Sequence, residues 1–234
     1  MFAIASTGCT SQRMSQVTTD AVGILRTFDN GNVIPPEMIR DAKAIAVVRE
    51  TEGAVVIGAS AGEGVLVRRL AAPANVAATA GGSAVGAAAP ASSATVSWRP
   101  GEWSPPLGIE VGTGSIGLQV GGQSREIVLI FNSTAAIDQL LATGVYAIGR
   151  IEGTAGDAQG RTPPDVPVPD VAAFVRTGGL FGGVSINGLS IKPSDRVNTA
   201  AYGAGWTARR ILNGEFSPPP GSGSLWSMLD EMSR

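Results

Sequence analysis

The residue types that could carry chemistry are few. The 234-residue chain has no histidine and a single cysteine, Cys9. Without histidine there is no usual general base, no imidazole metal ligand, and no Ser-His or Cys-His nucleophile pair. One cysteine also rules out an intrachain disulfide and a thiolate metal cluster. Carboxylate chemistry survives, but the acidic residues are scattered over loops and helix faces without a close constellation. No catalytic residue, metal ligand or cofactor is expected, and a carboxylate-based enzyme ranks third among the functional readings.

One motif points the other way. Residues 112–122 read GTGSIGLQVGG and contain Gly112-x-Gly114-x-x-Gly117, the spacing that brings backbone close to a pyrophosphate. A dinucleotide site needs that motif to open a helix whose N-terminal N–H groups hold the phosphates. The residues after Ser115 instead alternate Ile116, Leu118 and Val120 with Gly117, Gln119 and Gly121, the period of a strand. As a helix the stretch would carry three interior glycines, each costing roughly 1 kcal/mol relative to Ala. The next apolar run ends at Asn132 without the acidic residue that grips a ribose, and Asp138 falls in a helical pattern. These are strand glycines, and no nucleotide affinity is expected.

Charge narrows the classes further. Lys and Arg number 17 against 19 Asp and Glu, for a formal net charge of −2. A nucleic-acid binder would usually show a strongly basic domain, so no nucleic-acid partner is expected. Residues 1–7 (MFAIAST) are apolar and precede Gly8-Cys9-Thr10-Ser11. Small residues before a lone cysteine resemble a bacterial lipoprotein processing site, which makes Cys9 a lipidation candidate. The apolar run is short, however, and no basic residues precede it. An ordinary terminus with an incidental cysteine stays open beside it.

The elements that must position any site emerge from periodicity. Residues 15–28 (SQVTTDAVGILRTF) place Val17, Ala21, Ile24, Leu25 and Phe28 on one helical face. Pro35-Pro36 opens a second short helix, PPEMIRDAKA. Strand patterns then run through AIAVVR, GAVVIGAS, GVLVRR, LGIEV, SIGLQVG, REIVLIF, VYAIGRI, AAFVRT and GVSINGLSI. Short Val- and Ile-rich runs between turn residues predict a curled antiparallel sheet or barrel. Asn132-Ser133 is expected to cap a helix over residues 134–142 that Gly144 stops, and another helix is expected over 204–212.

Two stretches read as loops. Residues 71–97 hold no charge and no Leu, Ile or Phe; a flexible insertion is the reading, against a membrane span broken by Pro73, Asn75 and Pro90. Residues 152–169 (EGTAGDAQGRTPPDVPVP) read as the second. The domain plan is therefore a terminus over 1–14, one domain over 15–213 with its insertion at 71–97, and a Pro/Gly linker with a short amphipathic segment over 214–234.

Three ordered blocks carry a resemblance. Trp103-Ser104-Pro105-Pro106 is followed by Gly112-x-Gly114-Ser115-x-Gly117-x-Gln119-x-Gly121 and Ile127-Val-Leu-Ile-Phe131-Asn132. Gly179-Leu180-Phe181-x-Gly183-Val184-Ser185-x-x-Gly188 comes later, and Ile34-Pro35 with Ile39-Arg40-Asp41-Ala42-Lys43 comes first. From about residue 33 to 212 the chain resembles the SYLF domain family, which is lipid-binding. The resemblance implies binding without catalysis: a lipid- or phospholipid-binding, membrane-associated module with a single α+β domain, a curled and largely antiparallel sheet with flanking helices. It also implies a bacterial envelope location, periplasmic or membrane-anchored, with the cytoplasm as the alternative. A structural or protein-interaction module anchored only by acylation is the second reading.

The expected partner is a phospholipid or anionic membrane surface, and a protein partner is left open. Candidate contacts are Arg26, Arg40 and Lys43 on the leading helices, Arg68 and Arg69 before the insertion, and the Ile24/Leu25/Phe28 face, whose other use is docking on the sheet. Where many relatives carry a basic residue before Gly64 this chain has Glu63, and Thr177-Gly178 stands where relatives read Ser-Lys. Losing two positive charges makes actin an unlikely partner on this reading.

Overall fold

The computed structural model describes residues 8–52, 59–70, 103–114, 124–151, 170–178, 180–182 and 186–234. Expectations for the 71–97 insertion, the 152–169 loop and the strand over 115–121 lie outside the described residues.

Among the described residues, eight strands form one antiparallel sheet in the order β5-β8-β3-β2-β1-β4-β6-β7. Their ranges are β1 Ala44–Glu52, β2 Ala59–Arg68, β3 Leu107–Gly114, β4 Ser124–Phe131, β5 Tyr146–Ile151, β6 Val171–Thr177, β7 Leu180–Gly182 and β8 Ile186–Pro193. Helices α1 Gly8–Asn30 and α2 Pro36–Asp41 precede the sheet, and α3 Ala135–Thr143 leaves β4. After β8 come α4 Asp195–Tyr202, α5 Ala208–Leu212 and α6 Ser222–Met232.

Alternation decides which helix covers which face. Ile45 and Val47 of β1 join one buried cluster with Ile24, Leu25 and Phe28 of α1 and Leu225, Met228 and Leu229 of α6. Ala44, Ala46 and Val48 point the other way, into a second cluster with Ile137 and Leu140 of α3 and Ile211 and Leu212 of α5. The central strands are thus buried on both sides, which is why β4 reads as the unbroken apolar run IVLIF. The sheet also curls: the Phe131 ring on β4 lies 5.9 Å from that of Tyr146 on β5, although four strands separate β4 from β5 in the sheet order. No described pairing joins β5 to β7, so the α+β fold is curled and antiparallel as expected but stops short of a closed barrel.

β3 carries Gly112 and Gly114 in extended strand, and the rest of the glycine motif lies outside the described residues. Gly144 does stop α3 in the left-handed region, at φ 74°. The cap at the other end differs from expectation. Thr134 is the first flanking residue and makes no side-chain cap bond. Asn132 instead continues the ladder, its backbone N–H donating to Asp170 O at 2.8 Å. The helix expected over 204–212 begins only at Ala208. Ahead of it lies α4, which the sequence hid because only Val197 and Asn198 of its eight residues are buried.

Asn198 explains how α4 is seated. Its amide accepts from Gly108 N at 2.8 Å and donates to Gly108 O at 2.7 Å, both fully buried. A side chain at Gly108 would stand 2.6 Å from Val197 Cγ1, so glycine lets the helix approach the strand. Among the described residues, no helix is long and apolar enough to cross a membrane.

Candidate functional site

Across the face that carries α1, the register lines up one charged residue from each of six consecutive strands. Lys192 on β8 pairs with Glu110 on β3, Glu110 with Glu63 on β2, and Glu63 with Arg49 on β1. Arg49 then pairs with Glu126 on β4, and Glu126 with Arg176 on β6. In five of these strands the charge sits two positions from an apolar or glycine residue of the same face, such as Val47, Val65, Gly108 or Val128, and on β8 Lys192 stands between Ser190 and Ser194. The row therefore marks where the apolar helix–sheet core gives way to a charge-lined cleft.

That cleft has a volume of about 910 Å³, within the size range of ligand sites. Its floor is small-residue backbone at Ala61, Gly62, Gly112 and Ser190. α1 supplies Arg13 and Asp20, and α4 supplies Arg196. Arg13 Nη2 donates to both Glu63 oxygens, at 2.9 and 3.1 Å. Arg196 Nη2 donates to the same carboxylate. Arg49 reaches Asp20 and Glu126, each at 3.4 Å, and Arg176 reaches Glu126 at 2.8 Å.

Directly opposed like charges destabilise a sheet, and Glu63 and Glu110 are such a pair. The cations resolve it. Ser194 Oγ donates to Glu110 at 2.7 Å and Lys192 Nζ lies 3.1 Å from its second oxygen. The Ser194 hydroxyl, then Lys192 and Arg196, hold the Glu110 carboxyl below the usual carboxylate range against the opposing effect of burial. The expectation that no acidic residues cluster is therefore corrected: pairing across strands joins carboxylates far apart in sequence.

The residues singled out from sequence lie mostly elsewhere. Ile24, Leu25 and Phe28 are 0–1% exposed and pack between α1 and the sheet, so in this arrangement they face the core. Of the three, Ile24 also borders the cleft. Arg26, Arg40 and Lys43 are exposed, and Arg40 Nε donates to Ser233 O at 3.3 Å. Arg68 donates to Asn213 Oδ1 at 3.2 Å. Arg69 serves the fold: it donates to Ile39 O at 2.9 Å and Ala42 O at 3.2 Å, and lies 4.1 Å over the Trp103 ring. Cys9 falls in the first turn of α1. Sequence reasoning missed Arg13, Glu63, Glu110 and Arg196. The one signal, for Glu63 and Glu110 alone, was a single charge inside a strand pattern of small and apolar residues.

The structure is thus an antiparallel α+β domain, packed on both faces, with a cleft lined by paired charges. Its residues 112–232 match the family model described as "Ysc84: Las17-binding protein actin regulator", and the chain belongs to this Ysc84 (SYLF) family. It is 25% identical over 226 residues to LAS seventeen-binding protein 3 of Saccharomyces cerevisiae, covering 94% of this chain and 43% of that protein. Protein YSC84 of the same yeast is 26% identical over 226 residues, covering 91% of this chain and 42% of the relative. The human SH3 domain-containing YSC84-like protein 1 is 25% identical over 221 residues, covering 90% and 56%. The chain thus spans roughly half the length of these relatives or less.

LAS seventeen-binding protein 3 is named for binding, and none of the three relatives is named for a reaction. The matched family is itself described as an actin regulator that binds Las17. That overturns the expectation that actin is an unlikely partner. The two charges lost at Glu63 and Gly178 were too narrow a basis for it, because Glu63 is taken up by internal arginines.

Proposed function

We propose that this chain is a non-catalytic SYLF-type module that acts through a protein partner of the actin-regulating kind. The family match carries the reading. The geometry agrees with it, since the apolar side of α1 is consumed in the core and the accessible cleft is lined by charged as well as apolar side chains. Co-sedimentation with actin filaments tests it. The chain is expected in the filament pellet at low salt and to leave it as salt rises, because exposed charges are screened over about 8 Å at physiological ionic strength. Absence from the pellet at every salt concentration would end this reading.

Membrane attachment is the second reading, and the exposure of Arg26, Arg40 and Lys43 favours it. If these residues meet an anionic bilayer, replacing all three with Gln should remove about 3 kcal/mol, more than a hundredfold in liposome binding. An envelope location through acylated Cys9 belongs to the same reading. In that case the triple substitution changes nothing, and Cys9→Ser abolishes membrane fractionation because the acyl chains are the anchor. If neither variant alters membrane association, the second reading falls.

A further inference from the structure

We propose that the cleft between α1, α4 and the sheet receives a carboxylate-rich segment of a protein partner, with Glu63 occupying its place in the free chain. The inference rests on the protein-contact reading above. Glu63 is held as a bound acidic side chain would be, by Arg13 through both oxygens and by Arg196 as well. Two guanidiniums bring about ten N–H donors to one carboxylate, which has about four acceptor sites. Donors are therefore in excess at this point. Four cations (Arg13, Arg49, Lys192, Arg196) face three carboxylates (Asp20, Glu63, Glu110) around the cleft, on a chain whose net charge is −2. The cleft lining thus carries one more cation than carboxylates on a net-negative protein, with Arg13, Lys192 and Arg196 grouped about Glu63 and Glu110.

Exchange is physically accessible. The side chains of Arg13, Arg196 and Glu63 are 39%, 58% and 37% exposed, and ion pairs this exposed are individually weak. A partner carboxylate that takes over one arginine leaves Glu63 with the other. The small floor of Ala61, Gly112 and Ser190 leaves room above the strands for an extended segment. Glu63 is then an internal competitor, and its removal has an unusual sign.

Titration calorimetry with an octaglutamate peptide, and octalysine as control, tests this on the full chain. The parent is expected to bind octaglutamate and not octalysine. Glu63→Gln should tighten octaglutamate binding about tenfold, since it frees both guanidiniums for charge-assisted bonds. Arg13→Gln with Arg196→Gln should weaken it at least tenfold. Unchanged or weaker binding by Glu63→Gln overturns the proposal, as does binding that ignores the double substitution. Should Glu63→Gln fail to fold, the double substitution decides alone, its fold checked by an unchanged cooperative melting transition. Filament co-sedimentation without octaglutamate binding sinks this inference and leaves the protein-contact reading standing. Octaglutamate binding without filament binding does the reverse. Phosphatidylglycerol vesicles that occupy the cleft while octaglutamate does not would assign it to lipid and overturn the proposal.

Discussion

Phe28→Ala is expected to destabilise the chain by about 3–5 kcal/mol, the range for emptying a fully buried aromatic site. Phe28 is 0% exposed and shares its cluster with Leu25 of α1, Ile45 of β1 and Leu229 of α6. Three elements pack together in this cluster, so none can collapse into an emptied site without leaving another. In a domain of this size each kcal/mol moves the melting temperature by roughly 2–4 °C, for a drop on the order of 10 °C. The measurement also separates two uses of the α1 face. A ring held out for a bilayer would leave the melting temperature unchanged on truncation and cost only liposome binding. A melting temperature within about 2 °C of the parent would show that α1 does not dock as described.

The same helix shows what the sequence could and could not reveal. The 3.6-residue spacing of Val17, Ala21, Ile24, Leu25 and Phe28 announces a buried stripe, because periodicity is local. It cannot say what covers the stripe, and core docking or membrane insertion read alike. Strand patterns were legible for a similar reason: Val47, Val65 and Val128 alternate with their neighbours whatever the strand order. The cleft was not legible, since it depends on register. Glu63 and Glu110 are 47 positions apart in the chain and become neighbours only when β2 pairs β3. α4 escaped notice because a polar helix held by one buried amide, Asn198, leaves almost no apolar stripe to detect. Of the glycine-rich stretch only the start is described, and there β3 carries Gly112 and Gly114 in extended strand, as the strand reading expects.

Gly64→Ala should be the most damaging of the small substitutions, and it tests why glycines populate this sheet. Gly64 lies in β2 opposite Val48 of β1 and Ile109 of β3, near the middle of the sheet. A Cβ added there would stand 2.1 Å from Val47 O and 2.9 Å from Val48 Cα. Both atoms are backbone of the paired strand, so no rotamer change relieves the clash. The strands must separate, and β1 is packed on both faces and cannot yield to either side. Overpacking usually costs 1–3 kcal/mol, and a clash with paired backbone puts this site at about 3 kcal/mol or above. Gly23→Ala supplies the opposite sign from the same chemical change. Gly23 is exposed within α1, and a Cβ there meets nothing within 4 Å. Alanine should stabilise that helix by roughly 0.5–1 kcal/mol through its propensity and the lower entropy of the unfolded chain. Denaturant midpoints of the two variants should therefore move in opposite directions from the parent. If Gly64→Ala falls within about 0.5 kcal/mol of the parent, as neutral surface changes do, close strand approach is not what glycine supplies at this position.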